Sequence, residues 1–109
     1  MLEVSGRRLE TTASGFLANA DEWDEQVAQV LAAGLALELT EAHWEILWFL
    51  RDYHARFQHL PNMRMFVKAV QKTLGEEKGN SRHLHRLFRD SPLKYACLIA
   101  GLPKPPGCV

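Results

Sequence analysis

An α+β fold, mainly helical, is what this sequence predicts: a short N-terminal β-hairpin packed on an array of about five helices, with a proline-rich arm at the C-terminus. Three observations lead there. Alternation of apolar and polar residues around a glycine turn is confined to the first eleven residues. From residue 21 onward, apolar residues recur at helical spacing between capping residues and Gly or Pro stops. The last eight residues contain three prolines, which suit neither a helix nor a central strand.

Taken in order, Glu3-Val4-Ser5 and Arg8-Leu9-Glu10-Thr11 flank Gly6-Arg7 and read as a hairpin. After a loop around Ser14-Gly15, the acidic stretch Asp21-Glu22-Trp23-Asp24-Glu25 opens a first helix with Trp23, Val27, Val30 and Leu31 on its apolar side and Gly34 as its stop. Carboxylates at the front of a helix complement its dipole. Thr40 is a good N-cap for a second helix carrying Trp44, Leu47, Trp48, Leu50 and Phe57, which Pro61 must end. Met63, Phe66, Val67, Val70 and Leu74 define a third helix before Gly75, with Arg64, Lys68 and Lys72 as a basic stripe along another face. Ser81 is placed to cap a fourth, short helix burying Leu84, Leu87 and Phe88. Ser91-Pro92 opens a fifth, with Leu93, Ala96, Cys97 and Ala100, which Gly101 ends.

The chain of 109 residues suits one domain, and 47% hydrophobic against 24% charged residues excludes the composition of a disordered chain. Residues 1–101 are expected to form that domain and residues 102–109 a mobile C-terminal arm. The absence of an apolar run of about 18 residues argues against a membrane span, and the N-terminus lacks a secretory pattern, so a cytoplasmic location is expected. Net neutrality conceals an asymmetry: residues 1–61 hold four Lys/Arg against ten Asp/Glu, and residues 62–109 hold nine against three. A basic half can dock an acidic protein or tRNA, or simply complement the acidic half within the molecule.

Two cysteines in a reducing compartment point to reactivity rather than to a permanent staple. Cys108 is the informative one. A thiol next to the last residue of a proline-stiffened tail is poorly placed to fill a core and well placed to enter a partner's cleft. From Gly101 to Val109 the extended backbone spans at most roughly 26 Å. Lys104 favours the thiolate and the terminal carboxylate opposes it. Cys97, on the fifth helix, reads either as a small core residue or as a resolving thiol that closes a transient disulfide with Cys108.

Other chemistries have little to stand on. His83 and His85 are two apart on a helix and lack metal-ligand spacing, so no metal site is expected. His43, His54 and His59 have no recognisable catalytic partners, and no glycine-rich phosphate loop occurs, so no cofactor is expected. A helix-turn-helix-like nucleic-acid-binding regulator, built from the third and fourth helices with Arg82, Arg86 and Arg89, is a further reading, but it leaves the cysteine arm unexplained.

The tail Gly101-Leu102-Pro103-Lys104-Pro105-Pro106-Gly107-Cys108-Val109 resembles the C-terminal signature of the DsrC/TusE family. Leu39-Thr40-Glu41-Ala42-His43-Trp44-Glu45, Phe49-Leu50-Arg51-Asp52-Tyr53 and Gly75-Glu76-Glu77-Lys78-Gly79-Asn80-Ser81 resemble internal family segments in the same order. The resemblance implies a hairpin or β-meander on a helical array with a Pro-rich arm. It also implies a sulfurtransferase function without a cofactor. TusE-like members take up sulfur as a persulfide on the cysteine matching Cys108, from a TusBCD-type complex, and pass it to the tRNA 2-thiouridylase that modifies wobble uridine. DsrC-like members partner dissimilatory sulfite reductase and use a second cysteine at the position of Cys97. Residues 79–88 look closer to the TusE branch, whereas Cys97 follows the DsrC branch. The tRNA-thiolation relay, as the more widespread pathway, is the expectation.

Overall fold

A computed structural model of the chain describes residues 2–106. Strands β1 (Leu2–Val4) and β2 (Arg7–Leu9) pair antiparallel, with Leu2 opposite Leu9, Glu3 opposite Arg8 and Val4 opposite Arg7. The turn between them is Ser5-Gly6, with φ of 49° and 81°. Two successive left-handed residues give the twist that a two-residue hairpin needs, which is why glycine sits there. Val4 and Leu9 turn inward, and a single bridge between Thr11 and Leu17 carries the chain on to buried Phe16 and Leu17.

The acidic stretch does not begin one helix as expected. It splits into a 3₁₀ turn, Ala20–Glu22, capped by Asn19, and helix α1, Glu25–Gly34, capped by Asp24. Asp24 causes the break: it adopts an extended backbone, and its Oδ1 accepts the Val27 N–H at 2.9 Å. Trp23 is thereby left outside both elements, and its ring points elsewhere in the core. Arg7 reaches back from β2 to Asp24 Oδ2 at 2.7 Å, tying the hairpin to α1.

Donation from the Val27 N–H, with the Arg7 guanidinium, outweighs the opposing effect of desolvation and holds the Asp24 carboxyl below the ordinary aspartate range. A pKa depressed on folding contributes stability that is fully present above the unfolded value of about 3.9 and vanishes as pH falls through the folded value. Wild type is therefore expected to melt above Asp24→Asn at neutral pH, since Asn keeps the cap but loses the charge. The gap should close on acidification, and thermal melts from neutral pH down to about pH 2 check it.

Helix α2 (Glu41–Phe57) starts at Thr40 as expected. The residue closing the cap is His43: its Nδ1 accepts the Thr40 N–H at 3.1 Å, while Nε2 lies 2.7 Å from the Leu87 carbonyl. A carbonyl can only accept and a backbone N–H can only donate, so the proton sits on Nε2. One buried imidazole thus pins the start of α2 to the backbone at Leu87. The helix ends three residues earlier than Pro61 requires. Gln58 turns left-handed at φ 59° and donates its N–H to the His54 carbonyl.

Helix α3 (Met63–Leu74) is capped by Asn62 and buries Phe66 and Val70. For α4 (Ser81–Phe88) the N-cap is Asn80 rather than Ser81: Asn80 Oδ1 accepts from His83 N at 2.8 Å, and its amide also donates to the Glu76 and Glu77 carbonyls. An amide that caps the helix and ties down the preceding turn outcompetes a hydroxyl that does one job. Helix α5 (Pro92–Ile99) has Ser91 before it and Pro92 at its first position, as the cap-then-proline pattern implies. It packs against α1, α2 and α4 and buries Leu93, Ala96, Cys97, Leu98 and Ile99, so the single core is organised around the helix that precedes the arm. Among the described residues, no helix is long and apolar enough to cross a membrane.

Candidate functional site: the arm and its root

Cys97 lies in the last turn of α5 and is 0% exposed, in contact with the core that surrounds this helix. Of the two readings of its position, burial is what the fold displays. Cys108 lies outside the described residues. What the structure does define is the chain leading to it, as far as Pro106.

That chain leaves α5 through a tight turn. Gly101 has φ +71° and donates to the Leu98 carbonyl, and the Leu102 N–H returns to the Cys97 carbonyl at 3.0 Å. This is the left-handed glycine stop anticipated from the sequence, and two of the helix-end carbonyls are satisfied by it. A β-carbon on Gly101 would collide with the Trp23 ring, so glycine is required twice over, for its backbone angle and for the close approach of the indole.

Two further carbonyls at this end are held by side chains from distant elements. Trp23 Nε1–H donates to Ile99 O at 2.8 Å. Arg51, from the middle of α2, donates from Nη1 to Ala100 O at 2.7 Å and from Nη2 to Ala20 O at 3.3 Å. Its guanidinium carbon sits 4.2 Å from the centre of the Trp23 ring, and Trp48 meets the same indole edge-on at 5.2 Å. Burial pulls the Arg51 pKa below its ordinary value, with Asp21 opposing. Cation–π contact and a cluster of helix-end carbonyls are what make a half-buried guanidinium tolerable here.

Beyond the turn, Leu102 is 1% exposed and Pro105 is also buried, while Pro103 and Lys104 face solvent. Pro106 lines a shallow cleft of about 650 Å³ between the N-terminal turns of α3 and α5 and the end of α4. Arg64 and Lys94 bring positive charge to its walls, and Asp90 negative.

The histidines are occupied otherwise. His85 Nδ1 lies 2.8 Å from the Ser81 carbonyl one turn back, and His43 serves the α2 cap. Among the described residues, no group of three or more His, Cys, Asp or Glu is placed to hold a metal ion. Of the arginines assigned to a nucleic-acid face, Arg89 instead anchors the segment after α1, donating to Leu35 O at 3.0 Å and to Ala36 O at 2.6 Å. Arg64, Lys68 and Lys72 stay exposed on α3, and among the described residues none of the three forms an ion pair.

Arg51 and Trp23 are the residues that sequence reasoning did not assign to this site. A signal was present for Arg51. It follows Leu47 and Leu50 on the apolar stripe of α2, where an unpaired cation is unexpected. Nothing in the pattern revealed which carbonyls it serves.

A family model described as DsrC like protein matches residues 3–109. The chain belongs to the DsrC-like family. This family member is 50% identical over 109 residues to a protein named sulfurtransferase TusE from Yersinia pestis, with all of both chains covered. Its fold is close to that of DsrC from Allochromatium vinosum, with a TM-score of 0.90 and 49% identity over 99% of this chain and 96% of that one. It is also close to the oxidized gamma-subunit of dissimilatory sulfite reductase (DsrC) from Archaeoglobus fulgidus, with a TM-score of 0.85 and 44% identity over 99% and 98% of the two chains. The DsrC-like hairpin and five helices expected from the sequence are borne out, while the likeness extends to both branches of the family.

Proposed function

We propose that this protein is a persulfide sulfur carrier that accepts sulfur on Cys108 from a TusBCD-type complex and passes it to a tRNA 2-thiouridylase for wobble-uridine 2-thiolation. The observation that carries this reading is the full-length likeness to a protein named sulfurtransferase TusE, in a chain whose second-last residue is a cysteine. In the first step the Cys108 thiolate attacks the terminal sulfur of a donor persulfide. The new S–S bond forms as the old one breaks, the donor leaves as thiolate, and no oxidant is needed. In the second, an acceptor cysteine attacks that same sulfur and Cys108 leaves as thiolate. Cations at the cleft beside Pro106 favour a thiolate or persulfide anion nearby.

Residues 1–101 act in this reading as the carrying body and residues 102–109 as the mobile arm, in a cytoplasmic relay. The partners supply the walls of the active sites, so the protein is a transfer intermediate and not a self-contained enzyme. A second reading, in which Cys97 and Cys108 act together with a dissimilatory sulfite reductase, is favoured by the presence of Cys97 and by the likeness to the Archaeoglobus subunit.

Incubation with a small persulfide donor, followed by intact-mass and peptide analysis and then by addition of thiouridylase and tRNA, tests the proposal. One added sulfur on the Cys108 peptide, delivered to tRNA by wild type and by Cys97→Ser alike, is the expected result. Sulfur found only on Cys97, or a loaded protein that never thiolates tRNA, overturns the tRNA-relay assignment; failure of Cys97→Ser alone moves the two-cysteine reading ahead.

A further inference from the structure

We infer that Arg51, with Trp23, is a positioning residue for sulfur delivery: the pair clamps the root of the arm to the body, so that the tether to Cys108 begins no earlier than Leu102. The role of Cys108 in this inference rests on the carrier reading above. Four observations meet at the root. Ile99 O is held by the Trp23 indole N–H and Ala100 O by Arg51, from residues 76 and 49 positions away in sequence. Arg51 also donates to Ala20 O, so it bridges the arm's root to the 3₁₀ turn. The Trp23 ring leaves no space for a β-carbon on Gly101, and Leu102 is buried with its N–H bound to Cys97 O.

A glycine at φ +71° alone would be the natural pivot of a swinging arm. With an indole packed against it and the carbonyls before it tied to two other elements, it cannot rotate without breaking those bonds together. The free length of the tether then starts no earlier than Leu102. Cys108 is the sixth residue after Leu102, a reach of at most roughly 20–22 Å. A shorter tether with a fixed origin holds the thiol at a higher effective concentration in front of a docked partner. Delivery to a protein depends on that geometry, whereas reaction with a small freely diffusing donor does not.

The test separates those two. Arg51→Gln removes the cationic fork, Arg51→Lys keeps the charge but not the two-pronged geometry, and Trp23→Phe keeps a ring while deleting the N–H. Each is compared with wild type for loading by glutathione persulfide and for delivery to the thiouridylase with tRNA. In parallel, spin labels on Cys108 and on a cysteine introduced by Thr73→Cys, an exposed position on α3, report the distance distribution of the arm in a Cys97→Ser background. The expected result is unchanged loading, delivery reduced about tenfold in Arg51→Gln and less in Arg51→Lys, and a distribution broadened in the same order. Arg51→Gln or Trp23→Phe with wild-type distance distribution and wild-type delivery overturns the clamp. If wild type itself neither loads nor delivers, the carrier reading fails, and the distance distributions still decide whether the clamp exists. Should Arg51→Gln not fold, Trp23→Phe and Arg51→Lys carry the same comparison.

Discussion

Trp23→Ala is expected to destabilise the protein by about 3–5 kcal/mol, the range for truncating a large buried aromatic side chain. Trp23 is 9% exposed, yet it belongs to no helix or strand and is held entirely by what it touches. Its removal opens a cavity beside Gly101, strands Ile99 O without its donor and uncovers the face on which the Arg51 guanidinium rests. Trp48, already 48% exposed, loses its edge-on partner as well. These losses share one location, so their costs are not additive, and the single-residue range is the appropriate one. For a domain of this size the melting temperature should fall by about 12–20 °C. Trp23→Phe, which loses the hydrogen bond but fills most of the space, should fall much less. Equal effects from the two variants in thermal or denaturant unfolding would show that the hydrogen bond, and not the packing, dominates.

Much of this architecture was legible because local rules and the global fold agree. Gly6 marks a turn that needs a left-handed residue, Thr40 and Ser91-Pro92 mark helix starts, and Gly75 and Gly101 mark ends. The departures share a different cause. Asp24 rather than Asp21 begins α1, Asn80 rather than Ser81 caps α4, and Gln58 stops α2 before Pro61 compels it. In the first two cases two residues nearby carried the same signal, and the choice was made by bonds that a linear pattern does not show: Arg7 to Asp24, and Asn80 to Glu76 and Glu77. The role proposed for Cys108 draws on the opposite kind of signal, its place after a proline-rich stretch of sequence. The root of the arm was not legible, since its bonds join residues 20, 23, 51, 99 and 100, and no periodicity links them.

Cys108→Ser should abolish delivery of sulfur to tRNA, reducing it to the level seen with no carrier present, while leaving the melting temperature unchanged. The substitution exchanges one sulfur for one oxygen in a side chain of nearly the same size and shape. Chemically it removes everything the relay requires. A thiol with a pKa of about 8.5 supplies some thiolate at neutral pH, and cations nearby increase it. A serine hydroxyl supplies no comparable nucleophile and forms no persulfide. The loss is therefore all or none, unlike the graded losses expected at Arg51. Cys97→Ser provides the contrast. It places a hydroxyl in an apolar helix interface, so its principal cost is expected in stability, about 1–3 kcal/mol, with delivery retained once the protein is folded. A Cys108→Ser variant that still thiolated tRNA would remove Cys108 from the chemistry and return attention to the buried cysteine, which would then have to emerge from the core to act.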